Sequence, residues 1–228
     1  MSTTREPQYQ SCVDLAAKNG RTCLGVMSNE VWQNDPRRLA FVLARYKFVS
    51  KMFSGMKSVL EVGCADAFAT RIVLQEVGDI VAVDFDPVFI EDVQRRMDPD
   101  WKIDCRVHDM LEGPVSGRFD GAYAIDVLEH IPADRENVFL GNIVASLNTD
   151  GVLIVGVPSL QSQSYASAAS LAGHVNCKDG DGLKRTLSRF FHNVFIFSMN
   201  DEVVHTGFSA MAHYLIGLCC GPKLKPDK

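Results

Sequence analysis

Acidic and small residues stand at the ends of apolar segments in this sequence, where a ligand could be bound. Glu61 and Gly63 close the run VLEVG, and Ala65 follows shortly after. Asp84 ends the run DIVAVD and precedes Phe85. Small side chains let the backbone approach a ligand, and a carboxylate after a strand can accept hydrogen bonds from a ribose diol. These residue types, in this order, predict a site for a nucleotide.

Two later segments end in a similar way. Asp109 and Met110 follow the run WKIDCRVH, and a carboxylate there could accept from an adenine amino group. Ile125 and Asp126 end the run FDGAYAID, and His130 follows closely. Histidine titrates near neutral pH, so His130 is the candidate general base. A base of this kind contributes roughly 10²–10⁴-fold to a rate.

The elements that must position these residues alternate along the chain. Short apolar runs typical of strands are SVLEVG, DIVAVDFD, WKIDCRVHDM, FDGAYAIDVL and GVLIVGVPS. Helical patterns separate several of them, in AFATRIVLQEV, PVFIEDVQRRM and ADRENVFLGNIVASL. This alternation predicts βαβ crossovers and a mainly parallel sheet covered on both faces. A helix in DGLKRTLSRFF and two late strands, NVFIFSMN and MAHYLIGLCC, predict an antiparallel edge.

The N-terminal part differs from the rest of the chain. Residues 1 to about 33 show little periodicity, whereas NDPRRLAFVLARYKFVSKMF predicts a long amphipathic helix. Asp35 is a suitable N-cap residue for this helix, and Pro36 suits the first helical position. We therefore predict an N-terminal arm and lid helix over residues 1–54, followed by a ligand-binding domain over residues 55–228.

Composition narrows the classes of protein and partner. A chain of 228 residues with 46% hydrophobic residues can form one substantial core. The net charge is -5 and no basic run occurs, which argues against a nucleic acid polymer as partner. No apolar stretch reaches transmembrane length and the segment MSTTREPQYQ is polar, so we expect a cytoplasmic protein without membrane contact.

The ordered motifs resemble those of a known family. Glu61-x-Gly63, VAVDFD, HDM and FDGAYAIDVLEHIP look like the motifs of class I S-adenosylmethionine-dependent methyltransferases, over residues 57–159. The resemblance implies a Rossmann-like α/β fold with a seven-stranded, mostly parallel sheet, one antiparallel strand and helices on both faces. It also implies S-adenosylmethionine as cofactor. The chain departs from the family where Ala65 and Ala67 replace glycines that are common in relatives.

The resemblance also assigns the cofactor contacts to four successive strand ends. In order from the methionine part, through the ribose and adenine, to the sulfonium, the resemblance assigns these contacts to Glu61, Gly63, Asp84, Asp109, Met110, Ile125 and Asp126. Arg45 and Tyr46 on the lid helix could touch the cofactor carboxylate or the acceptor. His174, in the loop GHVN, is the second candidate for a catalytic role.

A nicotinamide dinucleotide is the main rival ligand. Its fingerprint requires G-x-G-x-x-G, whereas this chain has Gly63, Ala65 and Phe68 at those positions. Phe68 is bulky where a helix and a strand must pack closely. A pyrophosphate would also lie poorly beside Glu61, whereas the α-amino group of S-adenosylmethionine would not. These features favour the methyl donor.

The expected reaction is methyl transfer to a small-molecule acceptor, first of all a hydroxyl oxygen of a sugar or secondary metabolite. The sequence does not decide between an oxygen, a nitrogen and a carbon acceptor, and it does not decide whether the chain forms a homodimer. A non-catalytic nucleotide-binding subunit is the alternative, supported by Ala65 and Ala67. Asp109, Asp126 and Glu129 could gather around Mg²⁺, but no spacing requires it. We therefore expect metal-independent transfer that a chelator does not abolish.

Overall fold

A computed structural model describes residues 3–98, 100–101 and 103–223, and most of its strands between residues 58 and 158 are separated by helices. The strands are β1 (Ser58–Val62), β2 (Asp79–Asp84), β3 (Ile103–Val107), β4 (Phe119–Ile125), β5 (Leu147–Pro158), β6 (Phe191–Asn200), β7 (Val203–His205) and β8 (Tyr214–Pro222). The helices are α1 (Gln10–Asn19), α2 (Val26–Asn34), α3 (Pro36–Met52), α4 (Thr70–Val73), α5 (Pro87–Arg96), α6 (Glu136–Ser146), α7 (Ala168–Gly173) and α8 (Gly180–Ser188).

All the strands belong to one sheet of order β3-β2-β1-β4-β5-β8-β6-β7. β1 to β5 pair in parallel, and β8 lies antiparallel between β5 and β6. The order reverses between β1 and β4, which is where open α/β sheets bind their ligands. The predicted α/β fold with a mostly parallel sheet and an antiparallel edge is confirmed.

The predicted number of strands was wrong, because the sheet has eight strands and not seven. The additional strand, β7, pairs antiparallel with the end of β6, from Ser198 to Asn200. A tight turn joins the two strands, with Asp201 in the left-handed region at φ 49°. Such two-residue hairpin turns favour residues that accept positive φ. A strand of three residues is too short for its alternation to stand out in the sequence.

The helix predicted after β1 is also shorter than expected. The pattern predicted a helix over residues 67–77, but α4 covers only Thr70–Val73. Ala67 has φ 48°, so a right-handed helix cannot include it. The loop between β1 and α4 is therefore longer than the pattern indicated.

Helices cover both faces of the sheet, and each face has its own apolar core. On one face, Phe139 and Ile143 of α6 and Leu183 of α8 are buried against the strands. On the other face, Tyr46 of α3 and Ile90 of α5 are buried. This double cover explains why the strands read as nearly continuous apolar runs.

The N-terminal helices differ in how they contact the rest of the chain. Asp35 caps α3 by accepting from the Arg37 N–H at 3.3 Å, as predicted. α3 buries Leu39, Tyr46 and Val49, whereas α1 buries no residue. The division into residues 1–54 and 55–228 stays a prediction. No helix in the described residues has both the length and the apolar character to cross a membrane.

Candidate active site

A cavity of about 490 Å³ opens at the carboxyl ends of β1, β2, β3 and β4. This volume is within the range of small-molecule sites. Eight residues singled out in the sequence line it: Gly63, Ala65, Asp84, Phe85, Asp109, Met110, Asp126 and His130. Sequence reasoning missed apolar lining residues, among them Met27 on α2, Phe89 on α5 and Phe139 on α6. Only tertiary packing brings these side chains to the cavity.

The loop after β1 has an unusual backbone. Gly63 has φ 74°, and a Cβ atom on it would lie 2.4 Å from Cγ2 of Val127. Glycine is therefore required at position 63. Ala65 and Ala67 have φ values of 44° and 48°, a region that costs an L-residue other than glycine roughly 1–2 kcal/mol. The loop thus keeps a glycine-like conformation with two alanines in it.

Ala65→Gly is expected to stabilise the chain by up to about 1 kcal/mol, because it relieves a left-handed alanine whose side chain is only half-buried. Ala69→Gly is the matched control, since Ala69 has an ordinary φ of -75° and should lose about 0.5–1 kcal/mol on the same change. Urea unfolding of both variants measures the difference. Equal losses in the two variants would contradict the left-handed conformation of Ala65.

Asp84 joins the ends of β1 and β2. Its Oδ2 accepts from the Ala65 N–H at 2.9 Å, and its Oδ1 accepts from the Asp86 N–H at 3.0 Å. Each carboxylate oxygen has two lone pairs, so both oxygens can accept a further bond. Asp109 accepts from the Leu111 N–H at 2.7 Å and likewise keeps acceptor capacity towards the cavity.

Glu61 lies beneath the loop and does not line the cavity. Three hydroxyl groups donate to its carboxylate, from Tyr46 at 2.7 Å, Thr70 at 2.6 Å and Tyr123 at 2.8 Å. Burial raises the pKa of Glu61 to about 7, although these hydrogen bonds act in the opposite direction. Tyr46 therefore supports the β1 loop through Glu61 and does not reach the cavity.

Arg45 contacts the end of β4. Its Nη1 lies 2.5 Å from Oδ2 of Asp126, and its guanidinium lies 3.7 Å from the centre of the Tyr214 ring. Asp126 has φ 58°, which aspartate tolerates better than most residues. Ile125, the residue before it, is buried in the core. Asp126 lines the cavity, and Arg45 lies behind it.

A cluster of titratable side chains lies next to Asp126. The rings of His130 and His174 meet edge to face with centroids 5.2 Å apart. Glu129, His130 and His174 each offer one potential metal-ligand atom, and these atoms lie within 4.8 Å of one another. Burial and the charge of Asp126 raise the pKa of Glu129 to about 9. Burial and the nearby His130 lower the pKa of His174.

Comparison with known proteins shows which proteins the chain is similar to. Residues 59–151 match the family described as a methyltransferase domain. No sequence among the curated proteins matches the chain.

Three solved structures share the fold. N-methyltransferase NodS from Bradyrhizobium japonicum WM9, in complex with S-adenosyl-L-homocysteine, has a TM-score of 0.63 at 18% identity, covering 96% of this chain and 100% of that chain. The DhpI–SAH complex has a TM-score of 0.63 at 14% identity, covering 87% and 92%. A putative methyltransferase bound to the Haloferax volcanii Trm112 activator has a TM-score of 0.65 at 12% identity, covering 89% and 100%.

The chain has a doubly wound α/β fold with a cavity at the carboxyl edge of its sheet. The match over residues 59–151 and the shared fold make it similar to class I S-adenosylmethionine-dependent methyltransferases. The residues in the cavity fit S-adenosylmethionine, since the lining combines apolar side chains with the carboxylates of Asp84, Asp109 and Asp126.

Proposed function

We propose that this chain is an S-adenosylmethionine-dependent methyltransferase and that it transfers a methyl group to a hydroxyl oxygen of a small molecule, such as a sugar or a secondary metabolite. The observation that carries the proposal is the polar cluster at one end of an otherwise mainly apolar cavity. We call this end, at Asp126 and His130, the acceptor end. His174 and Glu129 extend it beyond the cavity lining. Imidazole and carboxylate groups suit an acceptor that carries hydroxyl groups.

The remaining cavity residues would hold the cofactor. Asp84 would accept from the ribose hydroxyls, and Asp109 and Met110 would frame the adenine. Gly63 and Ala65 would contact the methionine part, because the backbone of this loop faces the cavity without large side chains. Exposed Phe85 lies beside Asp84 and would cover the nucleoside.

The protein mainly has to position the acceptor and exclude water. The cofactor, when bound, supplies a methyl group on a positively charged sulfur. A lone pair of the acceptor oxygen forms the new carbon–oxygen bond, the carbon–sulfur bonding pair stays with sulfur, and the hydroxyl proton leaves. His130, which lines the cavity at the acceptor end, would take up this proton.

A small acceptor is favoured over a nucleic acid polymer. The chain has a net charge of -5, and binding of a polyanion requires clustered basic residues. The acceptor end instead holds Asp126 and Glu129 beside Arg45. A nitrogen acceptor remains the second candidate, and a comparison of matched alcohols and amines separates the two.

Calorimetric titration with S-adenosylhomocysteine is expected to show binding, and ligand at about 100 times its dissociation constant should stabilise the fold by roughly 2.7 kcal/mol. A transfer assay with labelled cofactor on paired alcohols and amines then tests the acceptor. Binding without transfer to any compound would favour the non-catalytic alternative. Absence of both heat and thermal stabilisation would contradict the cofactor site itself.

A further inference from the structure

Three side chains of the kind that metal ions bind meet at the acceptor end. We propose that Glu129, His130 and His174 bind one divalent first-row transition-metal ion, and that its open coordination positions take oxygen atoms of the acceptor. The metal site is inferred from the geometry of these residues alone. The binding of the acceptor to the ion rests on the function proposed above.

Both imidazoles are held with one nitrogen free. Nδ1 of His130 lies 2.9 Å from the carbonyl oxygen of Gly173, and Nδ1 of His174 lies 2.8 Å from Oε1 of Gln163. A carbonyl oxygen only accepts, so Nδ1 of His130 carries its proton and Nε2 keeps a lone pair. Metal-binding histidines typically donate their second N–H to such an oxygen, which fixes the tautomer and the ring orientation.

The same tautomer follows for His174 from the orientation of Gln163. The Nε2 of Gln163 donates to the Ser159 carbonyl oxygen at 3.2 Å, which turns Oε1 towards His174. Nδ1 of His174 must therefore be the donor, and its Nε2 also keeps a lone pair. Gln163 is a positioning residue in this arrangement, because it acts on the ion only through His174.

Glu129 supplies the third ligand, and its buried side chain lacks part of its hydrogen bonding. The residue is 1% exposed, and its Oε2 is buried with no hydrogen-bond partner among the described residues. A buried polar oxygen without a partner is costly, and a cation beside it would hold Glu129 as the charged carboxylate. An ion between Glu129 and the two imidazoles would meet this requirement directly.

The two segments that carry the ligands are tied together by the backbone. The N–H groups of Val175 and Asn176 donate to the Glu129 carbonyl oxygen at 2.9 and 3.0 Å. The loop with His174 is thus held against the turn with Glu129 and His130. One candidate ligand atom from each of the three side chains lies within 4.8 Å of the other two, so the three groups are close enough to share one ion.

The ligand types select the class of metal. Two imidazole nitrogens and one carboxylate suit Zn²⁺, Co²⁺, Mn²⁺ or Fe²⁺, whereas Mg²⁺ and Ca²⁺ prefer oxygen ligands throughout. Three protein ligands leave at least one position open, as in catalytic metal sites. His130 also lines the cavity, so an open position can face an acceptor there.

The proposal replaces two expectations from the sequence, metal-independent methyl transfer and His130 as a free general base. The oxygen site considered for Asp109, Asp126 and Glu129 is not favoured either, since Asp109 accepts from the Leu111 N–H and Asp126 pairs with Arg45. His130 becomes a metal ligand in place of a free general base. A bound cation lowers the pKa of a coordinated hydroxyl group, which would release its proton to the solvent.

Co²⁺ added to metal-free protein is the direct test, because its visible absorption reports coordination without cofactor or acceptor. One equivalent is expected to bind. Glu129→Gln and His174→Ala each remove a ligand and should weaken Co²⁺ binding by at least about 100-fold. Gln163→Leu should weaken it roughly 10–100-fold, the usual effect of losing a partner of a ligating histidine. His192→Ala is the matched control, since His192 is exposed on β6 and should leave the affinity unchanged.

Titration with S-adenosylhomocysteine shows that each variant is folded, because neither Glu129 nor His174 lines the cavity. The metal site would be overturned if the parent bound no Co²⁺ stoichiometrically, or if Glu129→Gln and His174→Ala bound it as tightly as His192→Ala. The role of the ion at the acceptor would be overturned if chelation left methyl transfer unchanged. Failure to bind S-adenosylhomocysteine would instead count against the proposed function alone.

Discussion

Asp84→Ala is expected to raise the dissociation constant for S-adenosylhomocysteine by roughly 10²–10⁴-fold while the chain stays folded. Hydrogen bonds from two ribose hydroxyls to a carboxylate contribute about 1.5–3 kcal/mol each, and 1.4 kcal/mol corresponds to a factor of ten. The variant also removes the acceptor that holds the Ala65 N–H at 2.9 Å, so the loop after β1 loses an anchor. Calorimetric titration of parent and variant measures the change.

Asp86→Ala provides the control for this experiment. Asp86 lies two positions after Asp84 and caps α5 by accepting from the Val88 N–H at 2.9 Å. Loss of this cap should cost about 1 kcal/mol of stability with little change in cofactor affinity. If Asp84→Ala bound the ligand as tightly as Asp86→Ala, Asp84 would only organise the loop, and the ribose contact would have to be sought elsewhere.

The sheet could be predicted because its strands are buried on both faces and read as apolar runs. The two errors both arise where tertiary contacts override a local pattern. β7 has only three residues and pairs only with the end of β6. α4 is short because Ala67 adopts a left-handed conformation. The residue type alanine does not predict this conformation.

The candidate site could be predicted where it depends on strand ends. Asp84, Asp109 and Asp126 lie at the carboxyl ends of the parallel strands β2, β3 and β4, so their location at one edge of the sheet follows from the topology. The burial of Glu61 could not be predicted, because Tyr46 and Tyr123 reach it from distant parts of the chain.

The meeting of His130 and His174 could not be predicted either. It depends on the position of a loop after β5, and the contact that ties the two segments joins residues 43 positions apart. The sequence proposed each histidine separately as a catalytic candidate. Only their proximity to each other and to Glu129 makes metal binding the better explanation of all three side chains.

Glu61 is expected to make the stability of the chain fall as pH rises. Burial raises its pKa from 4.5 to about 7, so between these values the folded state binds a proton that the unfolded state has lost. The free energy of unfolding therefore decreases across this window. At 1.36 kcal/mol per unit, the shift corresponds to about 3 kcal/mol of stability, which is fully present below pH 4.5 and lost above pH 7.

Glu61→Gln should remove this pH dependence, because the amide cannot ionise but can still accept from a hydroxyl group. Urea unfolding near pH 4.5 and near pH 8 should show the stability of the parent relative to the variant falling by about 3 kcal/mol over the interval from 4.5 to 7. Glu76→Gln is the control, since Lys51 lowers the pKa of that half-buried carboxylate and its effect on stability therefore lies below pH 4.5, outside this interval. A difference between parent and Glu61→Gln that stays constant with pH would mean that Glu61 remains ionised in the core, with its three hydroxyl donors outweighing its burial.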